Sequence, residues 1–500
     1  MNERGVEPPG RPGPPPVGRQ PSFLRRMLGE SAIYGLGGLA NQALAIILVP
    51  VYARQLGVEG YGAVAIINTT LSLTTMVVAL ALPQAFFRSY LKEAETGRER
   101  AAVLGTSLGL RLMVSVLGLL LFSAISLQLS VVLLGSTADW PLIALIGPIV
   151  FLDSLNLVPM ALLRAERRPI PYAMLAFVRA VLGSALIILF VVILDRGVLG
   201  VLFGSLGSAL VTTSLGFMLL ARERRLVVRF DRTRVRHMLL FSLPLVPAAV
   251  AGWTLNLSDR YIIQAFEGQT AVGLYSAGYV VGLTINALAI APFTLAWGAT
   301  YWEIAKQPDA RTTIARVLTG FVALASFAAL AVSALATDLI RILLTPDFEP
   351  GRFVTPFSAF GYVLYGAYTV VGTGLSLESQ TRRVPFITGA AAVSSVALNL
   401  LLVPALGYMG AAVSTLASYG LLAVASGIVS QRYYPVPWEL GRVATLLGIA
   451  MALAAAALLG PDHVAWRLLC LALYPALVLG LGIIPMRYLG ALGALRRGGR

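Results

Sequence analysis

The chain has 500 residues, of which 57% are apolar and only 12% are charged, and its mean hydropathy is +0.81. Soluble domains carry about twice that share of charged residues, so the composition indicates a multi-pass membrane protein. In such a protein the net charge of +15 belongs to loops near lipid head groups and does not indicate a nucleic-acid partner. The single cysteine, Cys470, excludes a disulfide framework, and two histidines in different loops argue against a histidine metal site.

The N-terminal stretch is rich in proline and glycine. Residues 1–22 hold seven prolines and four glycines among scattered charges, which is typical of a disordered segment. We predict a disordered cytoplasmic tail over residues 1–29 that ends in a short interfacial turn at 23–28. The apolar run 31–53 is too long for the core of a cleavable signal and lacks a small-residue cleavage site, so it is predicted to be the first span.

Long apolar runs follow one another along the rest of the chain. A helix needs about 20 residues to cross roughly 30 Å of hydrocarbon, and fourteen runs meet that length or approach it. They lack the alternation of barrel strands, which predicts an all-α integral membrane protein with about fourteen transmembrane helices. The predicted spans are residues 31–53, 62–87, 101–126, 140–163, 170–194, 197–220, 239–264, 271–299, 312–336, 354–377, 385–404, 408–430, 443–460 and 466–486.

The two halves of the chain share a loop pattern. Gly57 and Gly62 stand five residues apart between spans 1 and 2, as do Gly268 and Gly273 between spans 7 and 8. Glycine suits a tight turn because it has no Cβ penalty at positive φ. The pattern predicts a duplication, with two six-helix lobes facing each other across a central cavity. The predicted divisions are an N-lobe over 30–221, a basic cytoplasmic linker over 222–238, a C-lobe over 239–430, two further helices over 431–486 and a cytoplasmic tail over 487–500.

The basic residues are distributed unevenly between the two sides of the predicted membrane. Three lie within spans, five lie on one side, and all the others lie on the side of the N terminus. The positive-inside rule therefore predicts a cytoplasmic-membrane protein with both termini in the cytoplasm. The basic stretch Arg222 to Arg236 is expected to lie near anionic lipids, with a partner enzyme as the alternative. The five residues on the far side are Arg54, Arg196, Arg341, Arg352 and Arg467.

Three charged residues fall near the middle of the first lobe. Arg111, Asp153 and Arg179 each lie about ten residues, or roughly 15 Å, from a span end. A charge at that depth must be paired or hydrated, so two readings are open. In one, an Arg–Asp pair locks spans 3, 4 and 5 while the other arginine reaches backbone carbonyls. In the other, at least one of the two arginines faces a cavity filled with water.

Span 7 carries a second polar group. Asn256 and Arg260 are four residues apart and share a helix face, whereas Asp259 and Arg260 point roughly 100° apart and need not pair. Pro244 and Pro247 are expected to break or bend this helix near its inner end. Smaller polar groups in spans more often join helices than bind ligands. Gln42 and Asn68 are the further cavity candidates among them.

The sequence contains none of the common catalytic motifs. It has no Walker A lysine, no Ser-His-Asp set, no HExxH and no acidic cluster with metal spacing. We therefore predict a protein that is not an enzyme and needs no cofactor. Transport is then driven by a proton or sodium gradient or by the gradient of the substrate itself.

Several segments resemble one family of transporters. These are SAIYGLG at 31–37, PVYARQLGVEGYG at 50–62, SLP at 242–244, SDRY at 258–261 and VGLYSAGY at 272–279. They are similar to the polysaccharide or O-antigen flippases of the multidrug/oligosaccharidyl-lipid/polysaccharide exporter superfamily. The resemblance implies two six-helix lobes in a V shape that move a polyprenyl-pyrophosphate-linked oligosaccharide to the outer leaflet. Lipid II flippases of this superfamily carry arginines in the first helix, and this sequence has none in the corresponding span.

The charge pattern and the resemblance lead to one site hypothesis. Guanidinium groups match phosphate oxygens, so Arg111 and Arg179 are predicted to hold the pyrophosphate. Arg260 and Asn256 are expected to meet phosphate or sugar from the second lobe, and Asp153 or Asp259 to couple transport to protons or sodium. A polysaccharide polymerase or glycosyltransferases are the candidate protein partners. The alternatives are a cation or drug exporter coupled to protons or sodium, and a non-transporting membrane scaffold for glycan-assembly enzymes.

Overall fold

A computed structural model describes the backbone of residues 23–223 and 230–483 and the side chains from Ile47 onward. Residues 1–22 of the tail predicted over 1–29, the tail predicted over 487–500, part of the basic linker and the side chain of Gln42 therefore lie outside the described residues, whereas 23–29 belong to the first helix. Within the described ranges the chain is helical apart from turns, and it contains no strand. The prediction of an all-α membrane protein is confirmed.

We number the main helices α1 to α14 in chain order. Their residues are 23–56 (α1), 58–88 (α2), Gly97–Leu134 (α3), Trp140–Ala165 (α4), Pro169–Ile193 (α5), Gly197–Arg222 (α6), 232–267 (α7), 269–304 (α8), Ala310–Ala334 (α9), 354–377 (α10), Val384–Leu406 (α11), Tyr408–Gln431 (α12), Leu440–Leu459 (α13) and Val464–Gly480 (α14). By length and composition, ten continuous helices in the described ranges are able to cross a membrane, and two of these hold the bends at Gly57 and Gly268. The count of fourteen spans stays a prediction.

The predicted glycine repeat marks equivalent bends in the two halves. Gly57 separates α1 from α2 with φ 66° and ψ −172°, and Gly268 separates α7 from α8 with φ 80° and ψ −174°. These φ values lie in the region that only glycine adopts without strain. Each half therefore begins with two helices joined at a single glycine, as the duplication predicts.

Helix α7 is divided into segments that pack against different lobes. Its first segment, Arg232–Ser242, begins inside the predicted linker, and Asp231 caps it by accepting from the backbone N–H groups of Thr233 and Arg234. These bonds, first that of Arg234, lower the pKa of the Asp231 carboxyl. The buried Met238 packs in the cluster of the first lobe. The bend predicted from the two prolines is confirmed, because a 3₁₀ turn at Leu243–Leu245 separates this segment from the rest of α7.

The last two helices attach to the second lobe. Helix α13 packs along α9, and Tyr474 on α14 donates to the carbonyl of Ala323 on α9. At the far end Arg467 is buried and pairs with both Asp338 and Asp462. One guanidinium thus joins the start of α14 to the segment that follows α9.

Removing this cation is expected to loosen α14. An Arg467→Gln change removes the buried cation that the partly exposed Asp338 and the exposed Asp462 share, and loss of one partner of an ion pair with a buried member is destabilising. Cys470 lies one turn further along α14 and is 1% exposed. Because it is the only cysteine in the sequence, its reactivity reports directly on the exposure of this helix. We expect its reaction with a maleimide to become faster in Arg467→Gln. Arg341→Gln is the matched control, because Arg341 is an exposed member of the same charged group. Equal reactivity in both variants would contradict this role for Arg467.

Candidate functional site

The two lobes touch most closely at the second glycine of each repeat. A Cβ atom added to Gly62 would overlap the carbonyl of Gln269 and lie 3.0 Å from the backbone nitrogen of Gly273. A Cβ atom on Gly273 would overlap the carbonyl of Val58. Such distances exclude any side chain at either position unless the helices move apart. The second glycine of each repeat therefore lets α2 and α8 cross in direct backbone contact, which we call the glycine crossing.

Further contacts join the lobes on the same side. Gln269 donates to the carbonyl of Leu134 at 3.0 Å, and the ring of Tyr61 meets the ring of Phe348 edge-on at 5.5 Å. Deeper in the interface, the hydroxyls of Thr70 and Tyr261 are hydrogen-bonded at 2.9 Å. The lobes are thus held together near the bends at Gly57 and Gly268. We call this side the closed face, and the side with most of the Lys and Arg residues the basic face.

Two cavities of about 540 Å³ each lie between helices of the two lobes. The Arg260 cavity is lined by α1, α2, α7 and α8, and its polar residues include Asn68, Thr69, Arg260 and Asn286. The Asp153 cavity is lined by α2, α4 and α7. Its lining residues are Leu71, Ser72, Thr75, Met76, Ala79, Ala81, Pro83, Gln84, Asp153, Leu157, Val246 and Ala249.

Asp153 and Arg179 form an ion pair at the Asp153 cavity. The Nη2 of Arg179 lies 2.8 and 2.9 Å from the two carboxylate oxygens of Asp153, and Nη1 donates to the carbonyl of Ser205 at 3.2 Å. Both side chains are only partly buried, at 27% and 28% exposed. Of the two readings that the sequence left open, the ion pair is formed, and its carboxylate partner Asp153 lines the cavity.

Asp259 and Arg260 form a second pair, which is buried. Arg260 Nη1 lies 2.7 Å from Asp259 Oδ1, and its guanidinium carbon lies 4.5 Å from the centre of the Tyr279 ring. Asp259 also accepts from the hydroxyl of Tyr275. Neighbours on a regular helix need not meet, but these two do, because the carboxylate of Asp259 folds back onto the backbone N–H of Arg260 and there also accepts from its guanidinium. Arg260 lines the cavity named after it, as predicted.

Arg111 does not face either cavity, so its predicted place in the central opening is wrong for this structure. It is 2% exposed, and its Nη1 donates to the carbonyls of Val78 at 3.4 Å and Ala79 at 3.1 Å. The alternative reading, an arginine that reaches backbone carbonyls, matches this arrangement. The physical reason is a break in α2 that leaves these carbonyls without helical donors.

Asn256 is likewise not a lining residue of the two cavities. Its amide nitrogen donates to the carbonyl of Gly252 at 2.7 Å, and its amide oxygen accepts from the hydroxyl of Tyr419 at 2.5 Å. These bonds occupy the groups that were predicted to meet the substrate. Asn68, by contrast, is exposed and lines the Arg260 cavity, as expected for a cavity residue.

Sequence reasoning missed the tyrosines that surround the Asp259–Arg260 pair. The hydroxyls of Tyr279 and Tyr362 are hydrogen-bonded at 2.9 Å, and the rings of Tyr362 and Tyr419 are 5.7 Å apart. The four-residue spacing of Tyr275 and Tyr279 is the signal in the sequence for part of this group. In the sequence analysis these two residues appear only within the segment 272–279 that resembles the transporter family. In the described parts of the chain, no three His, Cys, Asp or Glu residues are grouped as metal ligands.

Comparisons with known proteins agree with this architecture. A family model described as "Polysaccharide biosynthesis protein" matches residues 28–297, just over half of the chain. The Haemophilus influenzae protein "Lsg locus putative protein 1" is 23% identical over 294 residues, which cover 56% of this chain and 66% of that protein. The match thus spans slightly less than two thirds of this relative.

Two solved structures share the fold. The first, titled "Lipid II flippase MurJ, inward closed conformation", has a TM-score of 0.72 at 14% identity and covers 92% of this chain and 99% of that chain. The second, an inward-facing multidrug resistance MATE family transporter of the MOP superfamily, has a TM-score of 0.63 at 17% identity and covers 83% and 95% of the two chains. At these identities the similarity shows the fold alone. The family match over residues 28–297 shows that this multi-pass membrane protein belongs to the polysaccharide biosynthesis protein family.

Proposed function

We propose that the protein is a flippase that moves a polyprenyl-pyrophosphate-linked oligosaccharide across the cytoplasmic membrane by alternating access. The substrate enters between the lobes from the basic face and leaves at the closed face once the glycine crossing separates. The basic face is the cytoplasmic one, and both termini lie there. The described part of the basic stretch, at Arg222 and again from Arg232 to Arg236, then lies where anionic lipids supply the counter-charge.

The observation that carries this proposal is the partly exposed Asp153–Arg179 pair, whose carboxylate lines a cavity between the lobes. The guanidinium beside that carboxylate is able to offer two parallel N–H groups to a pyrophosphate, and the low dielectric of the membrane strengthens the contact. Arg260 and Asn68 meet the substrate from the other cavity. The pyrophosphate takes the position that Asp153 now holds on Arg179, so binding separates an existing pair and does not fill an empty cationic site.

This exchange supplies a route to coupling. A carboxylate that loses its guanidinium inside the membrane holds its charge poorly, so the released Asp153 takes up a proton. Proton uptake and substrate binding are thereby linked at one pair. Asp259 is the less suitable coupling group, because it is buried and retains Arg260 and Tyr275 as partners.

A vesicle experiment tests this proposal. Reconstituted wild-type protein is expected to flip a fluorescent polyprenyl-pyrophosphate-linked sugar, and a proton gradient is expected to change the rate. In Asp153→Asn the amide oxygen still accepts from Arg179 but takes up no proton, so flipping should persist and lose its response to the gradient. Asp309→Asn, an exposed change in the loop before α9, is the matched control. Absence of flipping by the wild-type protein would exclude the proposed function, and an unchanged gradient response in Asp153→Asn would exclude only the coupling route.

The alternative of a cation or drug exporter fits the site less well. Such transporters bind a cation at a carboxylate that has no permanent cationic partner. Both carboxylates that lie within predicted spans, Asp153 and Asp259, are paired with arginine in the structure. A polymerase or glycosyltransferase that receives the glycan remains the proposed protein partner.

A further inference from the structure

Helix α2 is broken at Leu80 and Ala81, within the predicted span 62–87. Leu80 and Ala81 have φ values of 48° and 52°, which residues with a Cβ atom rarely adopt. A helical stretch ends at Ala79 and a new one begins at Leu82. Two consecutive left-handed residues without glycine are costly, so something in the surrounding structure must hold the break in place.

The break leaves backbone carbonyls without helical donors. The carbonyl of Ala79 would normally accept from the residue four positions later, but that residue is Pro83, which has no N–H group. The helical partner of Val78 would be Leu82, which now belongs to the next helix. Where water does not replace these donors, each carbonyl needs a partner from the protein.

Arg111 supplies the missing donors. Its Nη1 donates to the carbonyls of both Val78 and Ala79 and to the hydroxyl of Ser154 at 3.4 Å. Ser154 is itself bonded to Ser115 at 2.8 Å, so helices α2, α3 and α4 meet at one guanidinium. The C-terminal end of a helix carries a partial negative charge, and a cation is favourable there. The arginine thus occupies the place that a bound cation takes at the broken helices of ion-coupled transporters.

The same break shapes the wall of the Asp153 cavity. Ala79, Ala81, Pro83 and Gln84 all line this cavity. Because of the break, polar groups from both sides of it, Ser72 and Thr75 before and Gln84 after, face the same space as Asp153. A continuous helix would turn residue 84 to a different direction.

We infer that Arg111 is a positioning residue for the Asp153 cavity. It holds α2 in its broken form and thereby sets the cavity wall that carries Ser72, Thr75 and Gln84. It makes no contact with the substrate. This role goes beyond the proposed flippase activity and holds for any solute that passes through the Asp153 cavity.

Cysteine labelling in detergent tests the inference without a substrate. In a Cys470→Ser background, Gln84→Cys provides a single thiol on the cavity wall, and a water-soluble maleimide reports its exposure. Arg111→Gln is expected to remove most of this labelling and to lower the thermal unfolding midpoint. Arg111→Lys should retain part of the labelling and part of the thermal stability, because an ammonium group still donates to the carbonyls. A cysteine at Ser376, in the segment Thr373–Leu377 outside both cavities, is the control thiol and should react equally in all variants.

A rescue experiment separates positioning from ligand binding. Glycine at positions 80 and 81 removes the strain of the left-handed residues, so adding Leu80→Gly and Ala81→Gly to Arg111→Gln should restore labelling of Gln84→Cys and export of glycan. A direct phosphate ligand would not be replaced by glycine at these positions. The inference is overturned if Arg111→Gln keeps the wild-type labelling, or if the triple variant fails to recover labelling or to accumulate.

Discussion

Glycan export is expected to stop when Gly273 is replaced by valine. The side chain would overlap the carbonyl of Val58 at the glycine crossing, so α2 and α8 can no longer touch. The lobes are then unable to close at this face, and alternating access loses one of its two states. We expect the variant to reach the membrane but to leave a cysteine at Asn68 open to an impermeant maleimide added from outside the cell. Export is measured in protein that retains Asn68, and the labelling is measured separately in an Asn68→Cys background, because Asn68 is itself a proposed substrate contact.

Gly298→Ala is the matched control for this prediction. Gly298 lies on the same helix as Gly273, and a Cβ atom there meets nothing within 4 Å. This variant should export normally and protect the cysteine at position 68. The equivalent change at the other glycine of the crossing, Gly62→Val, should reproduce the effect of Gly273→Val, since each glycine faces the backbone of the other repeat. Normal export by either valine variant would show that the crossing does not need to close.

Arg179→Gln is expected to abolish export for two separable reasons. It removes the proposed phosphate ligand, and it leaves Asp153 without its cationic partner. Loss of one partner of a buried pair costs about 3–5 kcal/mol, and less here because both side chains are partly exposed, whereas neutralising both partners is often without cost. The double variant Asp153→Asn/Arg179→Gln should therefore recover the thermal stability lost in Arg179→Gln. It should still fail to export, because the guanidinium is absent.

The double variant decides between a structural and a ligand-binding role for the pair. If the pair only joins α4 to α5, restoring stability will also restore export. The control is Arg168→Gln, which removes a partly exposed ion pair with Glu223 at the membrane surface, and it should export normally. Recovery of export by the double variant would remove Arg179 from the proposed site.

The duplication and its glycines were predictable from the sequence because backbone geometry restricts residue choice strongly at those positions. A positive φ at Gly57 and Gly268 and the close approach at Gly62 and Gly273 each exclude a Cβ atom, so the same pattern appears twice. The all-α fold was predictable for a similar reason, because an open chain in hydrocarbon has no other way to satisfy its backbone. Each of these constraints acts on residues that are close together in the chain, so it leaves a visible pattern in the sequence.

The partners of the buried charges were not predictable in the same way. The predicted spans indicated the depth of Arg111, Asp153 and Arg179 but not the side from which neighbouring helices approach. The break in α2 decided the position of Arg111, and its only local signal was Pro83, which removes one hydrogen bond. Likewise, the carboxylate of Asp259 folds back onto Arg260, against the angle expected for neighbours on a regular helix. Such partners depend on interruptions of helices and on side-chain conformations, which hydropathy does not reveal.

The attachment of α13 and α14 to the second lobe has a practical consequence. Both helices pack on α9, and Arg467 ties α14 to the segment beyond it, so the two are expected to travel with that lobe as one body during the transport cycle. A fluorophore placed on their lipid-facing surface, for example at Leu468, would then follow the rocking of half the molecule from a site remote from the substrate route. Paired with a second dye on the first lobe, it would turn the transport cycle into a distance signal recorded from single molecules.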